Sequence, residues 1–257
     1  MSARIAMAIG LVVAAALAAT TAHAQAAEAR SSTASSDARW VGQVTPYLWG
    51  SGFGGRLTPF AGGPTVQVDK SFGELLEDSD GAFFISAFAR RDRFVLLGDF
   101  SASSSSKDGR LPPGLPAEGR LRQSSLTLAA GWRAFEDERA AVDVLGGIRR
   151  WSVRASVDVP LAGVSRSPEA NFVDPILGLR ANVPLSPRWS LIAYADVGGF
   201  DAGSEHTHQA LLSANYLHGE RWAFSFGLRH LAVDYRDGGM RIDATLAGPL
   251  VGASWRF

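Results

Sequence analysis

Cysteine is absent from this 257-residue sequence, and its charges cancel, with 25 Lys and Arg residues against 25 Asp and Glu residues. Without cysteine the chain has no disulfide framework, no thiolate nucleophile and no thiolate-ligated zinc or iron–sulfur site. Zero net charge removes the electrostatic argument for a nucleic-acid partner, which requires a basic excess. The 28 glycines disfavour a helical bundle or coiled coil. The length is compatible with a single all-β domain.

The one long apolar run is at the start of the chain. Arg4 precedes an apolar stretch at 5–19, and the small-residue triplet Ala22-His23-Ala24 follows it. This pattern predicts a secretory signal peptide over residues 1–24, cut before Gln25. The stretch is shorter than the roughly 20 residues that a helical anchor needs, and no later stretch approaches that length. Residues 25–38 are rich in Ala and Ser and predict a disordered leader, which leaves 39–257 as the folded domain.

From Trp40 onward the sequence alternates between apolar and polar residues, which indicates β-strands. In the clearest segment, 222–229, the even positions are Trp, Phe, Phe and Leu, whereas the odd positions are Ala, Ser, Gly and Arg. Such faces fit either a soluble barrel with an apolar interior or a membrane barrel with an apolar exterior. In the membrane barrel, the predicted lipid-facing residues include Leu126, Leu128, Leu177, Leu179, Leu191, Phe224, Phe226 and Leu228.

The connections favour the membrane barrel. Short polar turns at 90–93, 136–139, 186–188 and 218–221 alternate with mostly longer connections near 51–81, 104–119, 157–170, 201–208 and 236–239. Short turns at one end and long loops at the other are typical of outer-membrane barrels. We therefore predict an all-β, transmembrane, antiparallel up-and-down β-barrel. Its ten strands are expected near 39–50, 82–90, 92–103, 120–135, 139–156, 172–184, 188–200, 209–218, 221–235 and 240–257. Eight strands are the alternative, because 82–90 is weakly patterned.

Tryptophan placement predicts aromatic girdles at both membrane interfaces. Five indoles lie close to the short-turn end, namely Trp40, Trp132, Trp189, Trp222 and Trp255, whereas Trp49 and Trp151 fall at the far ends of their strands. The alternation is interrupted in the last strand. The apolar residues up to Leu250 have even numbers, whereas those from Val251 onward have odd numbers. Either a β-bulge at Gly248-Pro249 or a strand that projects above the membrane before Gly248 would explain this. A similar slip is indicated at Arg149-Arg150.

The chain ends in Gly-Ala-Ser-Trp-Arg-Phe, with Val251, Ala253, Trp255 and Phe257 at alternating positions. This ending resembles the C-terminal signature of Gram-negative outer-membrane β-barrel proteins, which implies that Trp255 and Phe257 are read by the barrel-assembly machinery. Further segments resemble a family of small, largely uncharacterised barrels of OmpA/OmpW-like size. These segments are 45–50 with Gly52, Gly54 and Gly55, then 174–180, 196–200, 233–239 and 248–252. The resemblance covers nearly all of 40–257 and implies a cell outer membrane location, with outer-membrane lipid and lipopolysaccharide as surroundings.

Eight ionisable residues share the parity of the barrel interior. They are Asp99, Arg133, Asp143, Arg149, Asp174, Arg180, Asp196 and Arg229. Equal numbers of carboxylates and guanidinium groups inside a narrow barrel predict cross-lumen ion pairs. Such pairs would either brace a packed interior or line a narrow, weakly selective pore for small solutes.

Other clusters do not reach the pattern of a chemical site. The acidic stretch 74–81 lacks the spacing of a calcium loop, and His206 and His208 have no identifiable third metal ligand. Ser104–Ser106 has no paired histidine, and no G-x-S-x-G motif occurs. We therefore expect no metal, no cofactor and no catalytic residues. The predicted function is that of a non-enzymatic envelope barrel, either a narrow pore or a structural or surface-interaction barrel. The alternatives are an outer-membrane enzyme with a site at the loop mouth, or a soluble, lipocalin-like periplasmic barrel.

Overall fold

The computed structural model describes residues 39–58, 62, 65–71, 73–74, 79–111, 115–162 and 164–257. The predicted signal peptide and leader, residues 1–38, lie outside the described residues, as do positions 75–78 of the acidic stretch. Within the described ranges, no helix is long and apolar enough to cross a membrane.

The described fold is built from antiparallel strands. They are β1 (Val41–Trp49), β2 (Gly52–Thr58), β3 (Val66–Lys70), β4 (Ser79–Arg91), β5 (Phe94–Leu111), β6 (Leu115–Glu136), β7 (Ala141–Val159), β8 (Val164–Arg166), β9 (Glu169–Pro184), β10 (Trp189–Gly199), β11 (His206–His218), β12 (Trp222–Asp237) and β13 (Met240–Arg256). A 3₁₀ turn, Pro160–Ala162, lies between β7 and β8.

These strands form a closed barrel with ten wall positions. The ladder order is β1-β4-β5-β6-β7-β9-β10-β11-β12-β13, and β13 pairs back with β1. β2 follows β1 along the same side of β13. The register does not change between them, as the pairs Trp49↔Leu250 and Gly52↔Ala247 show. β3 pairs with β2 on the side away from β13, and β8 forms a small hairpin with β7. The ten-stranded prediction is confirmed, and the eight-stranded alternative is wrong.

The loop-side connections differ from the prediction. β5 and β6 pair as far as Leu111↔Leu115, so most of the expected loop at 104–119 is an extended hairpin. The expected loop at 51–81 contains β2 and β3. These extensions are rich in Ser, Gly and charged residues, so their alternation carries no apolar period and sequence patterning does not detect them.

The outer surface carries an apolar belt. The predicted lipid-facing leucines and phenylalanines point outward, from Leu126 at 37% exposed to Leu228 at 63%, with Leu191 half-buried. Asp143, Arg149 and Asp174 are fully buried on the opposite, inner face. Large exposed apolar areas of this kind need lipid or a partner around them. A lipocalin-like barrel has an apolar interior and a polar, solvent-exposed exterior, so it does not fit this arrangement.

The polarity of the wall inverts toward the loop end. On β13, Ile242, Ala244 and Leu246 are buried inside, whereas Arg241 and Asp243 lie outside. The pairing of β13 with β12 runs without a shift through Gly248 and Pro249. Of the two alternatives for this strand, the bulge is therefore wrong, and the strand projects beyond the belt. The Gly50 amide donates to the Pro249 carbonyl at 2.8 Å, but Pro249 has no N–H to return a bond, which accounts for the break between β1 and β2.

The strand register of β7 is also uninterrupted. Its pairing with β6 keeps one register through Arg149 and Arg150, so no slip occurs there, and Arg149 and Trp151 share the inner face. The five indoles near the short turns point outward and are 40–54% exposed, as predicted. Trp49 and Trp151 are 6% and 4% exposed and lie inside the barrel, so their assignment to an outer girdle is wrong. The side chains of alternate residues point to the same face of a strand, so Trp49 points inward together with Tyr47.

Candidate functional site: the charged interior

The structure places all eight sequence-predicted interior residues on the inner face of the wall. Seven are buried, and the Asp99 side chain is 12% exposed. They come from β5, β6, β7, β9, β10 and β12, and strand alternation turns each of them inward. The structure gathers seven of them into three ion-pair clusters, and Asp174 stands apart.

The cluster closest to the short turns is centred on Asp143. The Arg133 Nε donates to Asp143 Oδ1 at 2.8 Å, and the Arg180 Nη1 donates to Asp143 Oδ2 at 3.2 Å. Arg133 also pairs with Glu136 at 2.8 Å. The Arg180 guanidinium lies over the Phe88 ring, 4.0 Å from its centre. Two guanidinium groups therefore share one buried carboxylate.

The second cluster is centred on Arg149, which is 0% exposed. Its Nη1 and Nη2 donate to the two oxygens of Asp196 at 3.0 and 2.7 Å, which is a bidentate pair. Its Nε donates to Thr127 at 3.0 Å, and Nη1 also reaches Thr207 at 3.3 Å. The donors of this buried cation are thus satisfied on several sides, which is the condition under which a buried ion pair is tolerated.

The third cluster joins opposite walls of the barrel. The Arg229 Nη2 donates to Asp99 at 2.8 Å and to Gln209 at 2.7 Å. The Arg229 Nη1 donates to the Tyr47 hydroxyl, which itself donates to Asp99 at 2.9 Å. The guanidinium also lies 4.6 Å from the centre of the Trp49 ring. β12 and β5 are not neighbours in the ladder, so this contact spans the lumen.

Asp174 has no ion pair with any described residue. Its carboxylate accepts hydrogen bonds from the Trp151 Nε1 at 3.0 Å and from the Ser204 backbone amide at 2.6 Å. Asp174 therefore ties the connection between β10 and β11 to the inside of the wall. The cross-lumen ion pairing predicted for the interior carboxylates does not extend to this residue.

Apolar side chains fill the lumen between the charged clusters and beyond them toward the loops. Toward the loops, a buried cluster contains Leu231 at 1% exposed, and Phe172 stacks on Tyr235 with ring centres 4.1 Å apart. Leu145 lies between Asp143 and Arg149 on β7 and is buried with Val95 and Tyr194. The interior is therefore packed in layers of alternating polarity.

The interior partners Tyr47, Thr127, Thr207 and Gln209 are functional-site residues that sequence reasoning missed. Each lies on the inner parity of its strand, and this is the signal that could have found them. Strand parity shows that a polar side chain points inward but does not identify its partner across the lumen.

The remaining sequence candidates lie on the outside of the barrel. His206 and His208 share the outer face of β11, and His208 stacks on His230 with ring centres 5.4 Å apart. Within the described ranges, no group of three His, Cys, Asp or Glu residues could hold a metal ion. Ser106 and Ser104 donate to Asp80 at 2.7 and 3.1 Å, and these hydrogen bonds lower the pKa of the Asp80 carboxyl.

The chain end completes the barrel wall. Trp255 points outward and packs edge-on against Trp222, with ring centres 5.0 Å apart. The backbone of Phe257 exchanges two hydrogen bonds of 3.0 Å with Gly42 on β1. Recognition of Trp255 and Phe257 by the assembly machinery remains a prediction.

No family model matches the sequence, and no curated protein is significantly similar to it. Among solved structures, the chain is similar to the outer membrane protease OmpT from Escherichia coli, with a TM-score of 0.51, 10% identity, and coverage of 88% of this chain and 99% of that one. It also aligns with the translocator domain of the autotransporter NalP from Neisseria meningitidis (TM-score 0.46, 18% identity, 85% and 89% covered). A third match is Ail of Yersinia pestis (TM-score 0.36, 12% identity, 85% and 98% covered). With its closed ladder and apolar belt, the chain has the fold of the Gram-negative outer-membrane β-barrels.

Proposed function

We propose that this protein is an integral outer-membrane barrel with a closed interior, and that it serves as a structural or surface-interaction protein and not as a pore. The packing of the lumen is the observation that carries the proposal. Arg149 is 0% exposed and Leu231 is 1% exposed, so solvent reaches neither side chain, one in a charged layer and one in an apolar layer of the interior. A passing solute would have to separate buried ion pairs, and breaking one costs about 3–5 kcal/mol.

The loop end supports an interaction role. Beyond the belt, the outer wall carries exposed polar pairs such as Arg56 with Asp243 at 2.7 Å, and the β5–β6 hairpin extends it further. A polar barrel extension above a membrane presents a stable surface to the medium, and loops positioned by a rigid scaffold commonly carry function. The similarity to OmpT concerns the fold, and this proposal assigns the chain no catalytic activity.

The location and partners follow the same proposal. Residues 1–24 direct export and are cleaved, and Trp255 and Phe257 present the assembly signal. Arg150 points outward beside Leu126 and two residues beyond Ile148 of the belt, and it has no ion pair with a described residue. Basic side chains at this level suit the phosphates of lipid and lipopolysaccharide headgroups.

Conductance in a planar bilayer tests the closed interior. A detergent-purified sample, shown by protease resistance to be folded and inserted, is expected to carry no steady current, because the packed layers leave no water-filled path. The Asp143→Ala and Arg180→Ala variants serve as companions. Steady current through the wild-type protein would contradict the proposal, and current that both substitutions alter would place both residues in the lining of a pore.

A further inference from the structure

A cavity of about 830 Å³ opens at the short-turn end of the barrel. Six arginines line it, namely Arg90, Arg133, Arg180, Arg188, Arg221 and Arg256. Glu220 is the one acidic side chain in its lining, all of which belongs to the described residues. The lining therefore has an excess of positive side chains although the whole chain is neutral.

The charges of this cavity are only partly compensated. Arg133 and Arg180 share Asp143, and Arg133 also reaches Glu136. The four other arginines form no ion pair with a described residue. Arg90 instead donates its Nη1 to the backbone carbonyl of Asp92 at 2.8 Å. This contrasts with Arg149 in the middle of the barrel, whose guanidinium faces a carboxylate of its own.

The cavity is closed at its inner end. The Arg133 and Arg180 side chains are 7% and 9% exposed and take part in its lining. The buried Val95 and Leu145 pack in an interior cluster of the barrel. A concave surface with low-dielectric walls concentrates the potential of its charges, which raises the local concentration of a ligand of opposite sign.

We propose that this cavity binds a small multivalent anion carrying two or more phosphate or carboxylate groups, taken from solution at the short-turn end. Guanidinium groups bind such oxyanions through paired, charge-assisted hydrogen bonds. The volume lies within the range of ordinary small-molecule sites. Arg133 and Arg180 lie inside the strand ring, where the barrel wall separates them from lipid headgroups. The inference rests on the proposed closed interior in one respect, because an anion that enters the cavity then has no path through the barrel and stays bound.

Calorimetric titration of the full chain, folded in neutral detergent at low ionic strength, tests this inference with inorganic tripolyphosphate as the probe. We expect saturable binding to one site that weakens as salt is added. The Arg90→Gln/Arg221→Gln double variant should weaken binding by about tenfold or more, because each substitution removes a charged donor. Arg90 and Arg221 lie outside the buried ion-pair clusters, so the barrel should still fold. Comparison of the electrophoretic mobility of heated and unheated samples verifies the folding.

Arg122→Gln is the matched control, because it removes an arginine that also has no ion pair with a described residue but lies on the outer face near the loop end. Its affinity should stay within about twofold of the wild type. Absence of saturable binding, or an equal loss in Arg122→Gln, would overturn the inference. Displacement of the probe by phosphatidylglycerol micelles would also overturn it, because a lipid headgroup would then be the occupant. A barrel that conducts current and still binds tripolyphosphate would instead contradict the closed interior alone.

Discussion

Replacing Arg149 by alanine is expected to lower the free energy of unfolding by about 3–5 kcal/mol. The substitution leaves the Asp196 carboxylate buried, at 3% exposed, without its bidentate partner. It also removes the donors to Thr127 and Thr207. A buried carboxylate without a cation is costly because the protein interior solvates charge poorly. Urea unfolding in lipid vesicles, followed by tryptophan fluorescence, measures the change.

Two further variants test whether the effect of Arg149→Ala comes from the buried ion pair. The double variant Arg149→Ala/Asp196→Ala should lose less than the sum of the two single variants, because it removes both charges together. The matched surface control is Arg154→Ala, since Arg154 pairs with Glu169 where both side chains are partly exposed, at 49% and 33%. An exposed pair contributes about 0–1 kcal/mol. Equal losses for Arg149→Ala and Arg154→Ala would contradict the account of the interior.

Placing arginine at Phe226 is expected to destabilise the barrel by about 2–4 kcal/mol if the position faces the bilayer midplane. Phe226 is 54% exposed on the outer face and pairs with Val251, which also points outward. In lipid these side chains have apolar surroundings, and a guanidinium there loses its hydration. Folding into vesicles with urea titration measures the effect.

Thr245→Arg is the control for membrane depth. Thr245 lies on the outer face of β13, past the point where the polarity inverts, beside outward-facing Asp243. The cost of a charge falls to about 0–1 kcal/mol near the interface, so this substitution should be nearly neutral. If Phe226→Arg is as mild as Thr245→Arg, the assignment of the lipid-facing surface is wrong.

Much of the wall could be predicted from the sequence, because burial on one side only gives each strand a period of two. Extension of the strands beyond the membrane could not be located this way. In β5 the residues Ser103–Ser106 give both faces the same character, so their pairing with β6 is invisible to hydrophobicity. Trp49 and Trp151 were misassigned because distance along a strand suggests depth, whereas parity decides which face a side chain occupies.

The interior shows a second limit of sequence reasoning. Strand alternation identifies which charges point inward, but it carries no information on contacts across the lumen. Arg229 and Asp99 are 130 residues apart in sequence, and their strands are not neighbours in the ladder. Asp174 is satisfied by an indole and a backbone amide, neither of which carries a charge. Such partners depend on barrel closure and strand stagger, which only the structure provides.

The position of the membrane boundary on β13 tests the central claim most directly. The absence of cysteine allows single spin labels at Val251→Cys and Thr245→Cys, both on the outer face of the same strand. Collision with oxygen, which concentrates in lipid, is compared with collision with a water-soluble nickel chelate. The account predicts that the label at 251 meets mainly oxygen and the label at 245 mainly nickel. Equal nickel accessibility at both positions would contradict a membrane-embedded belt that ends below Thr245.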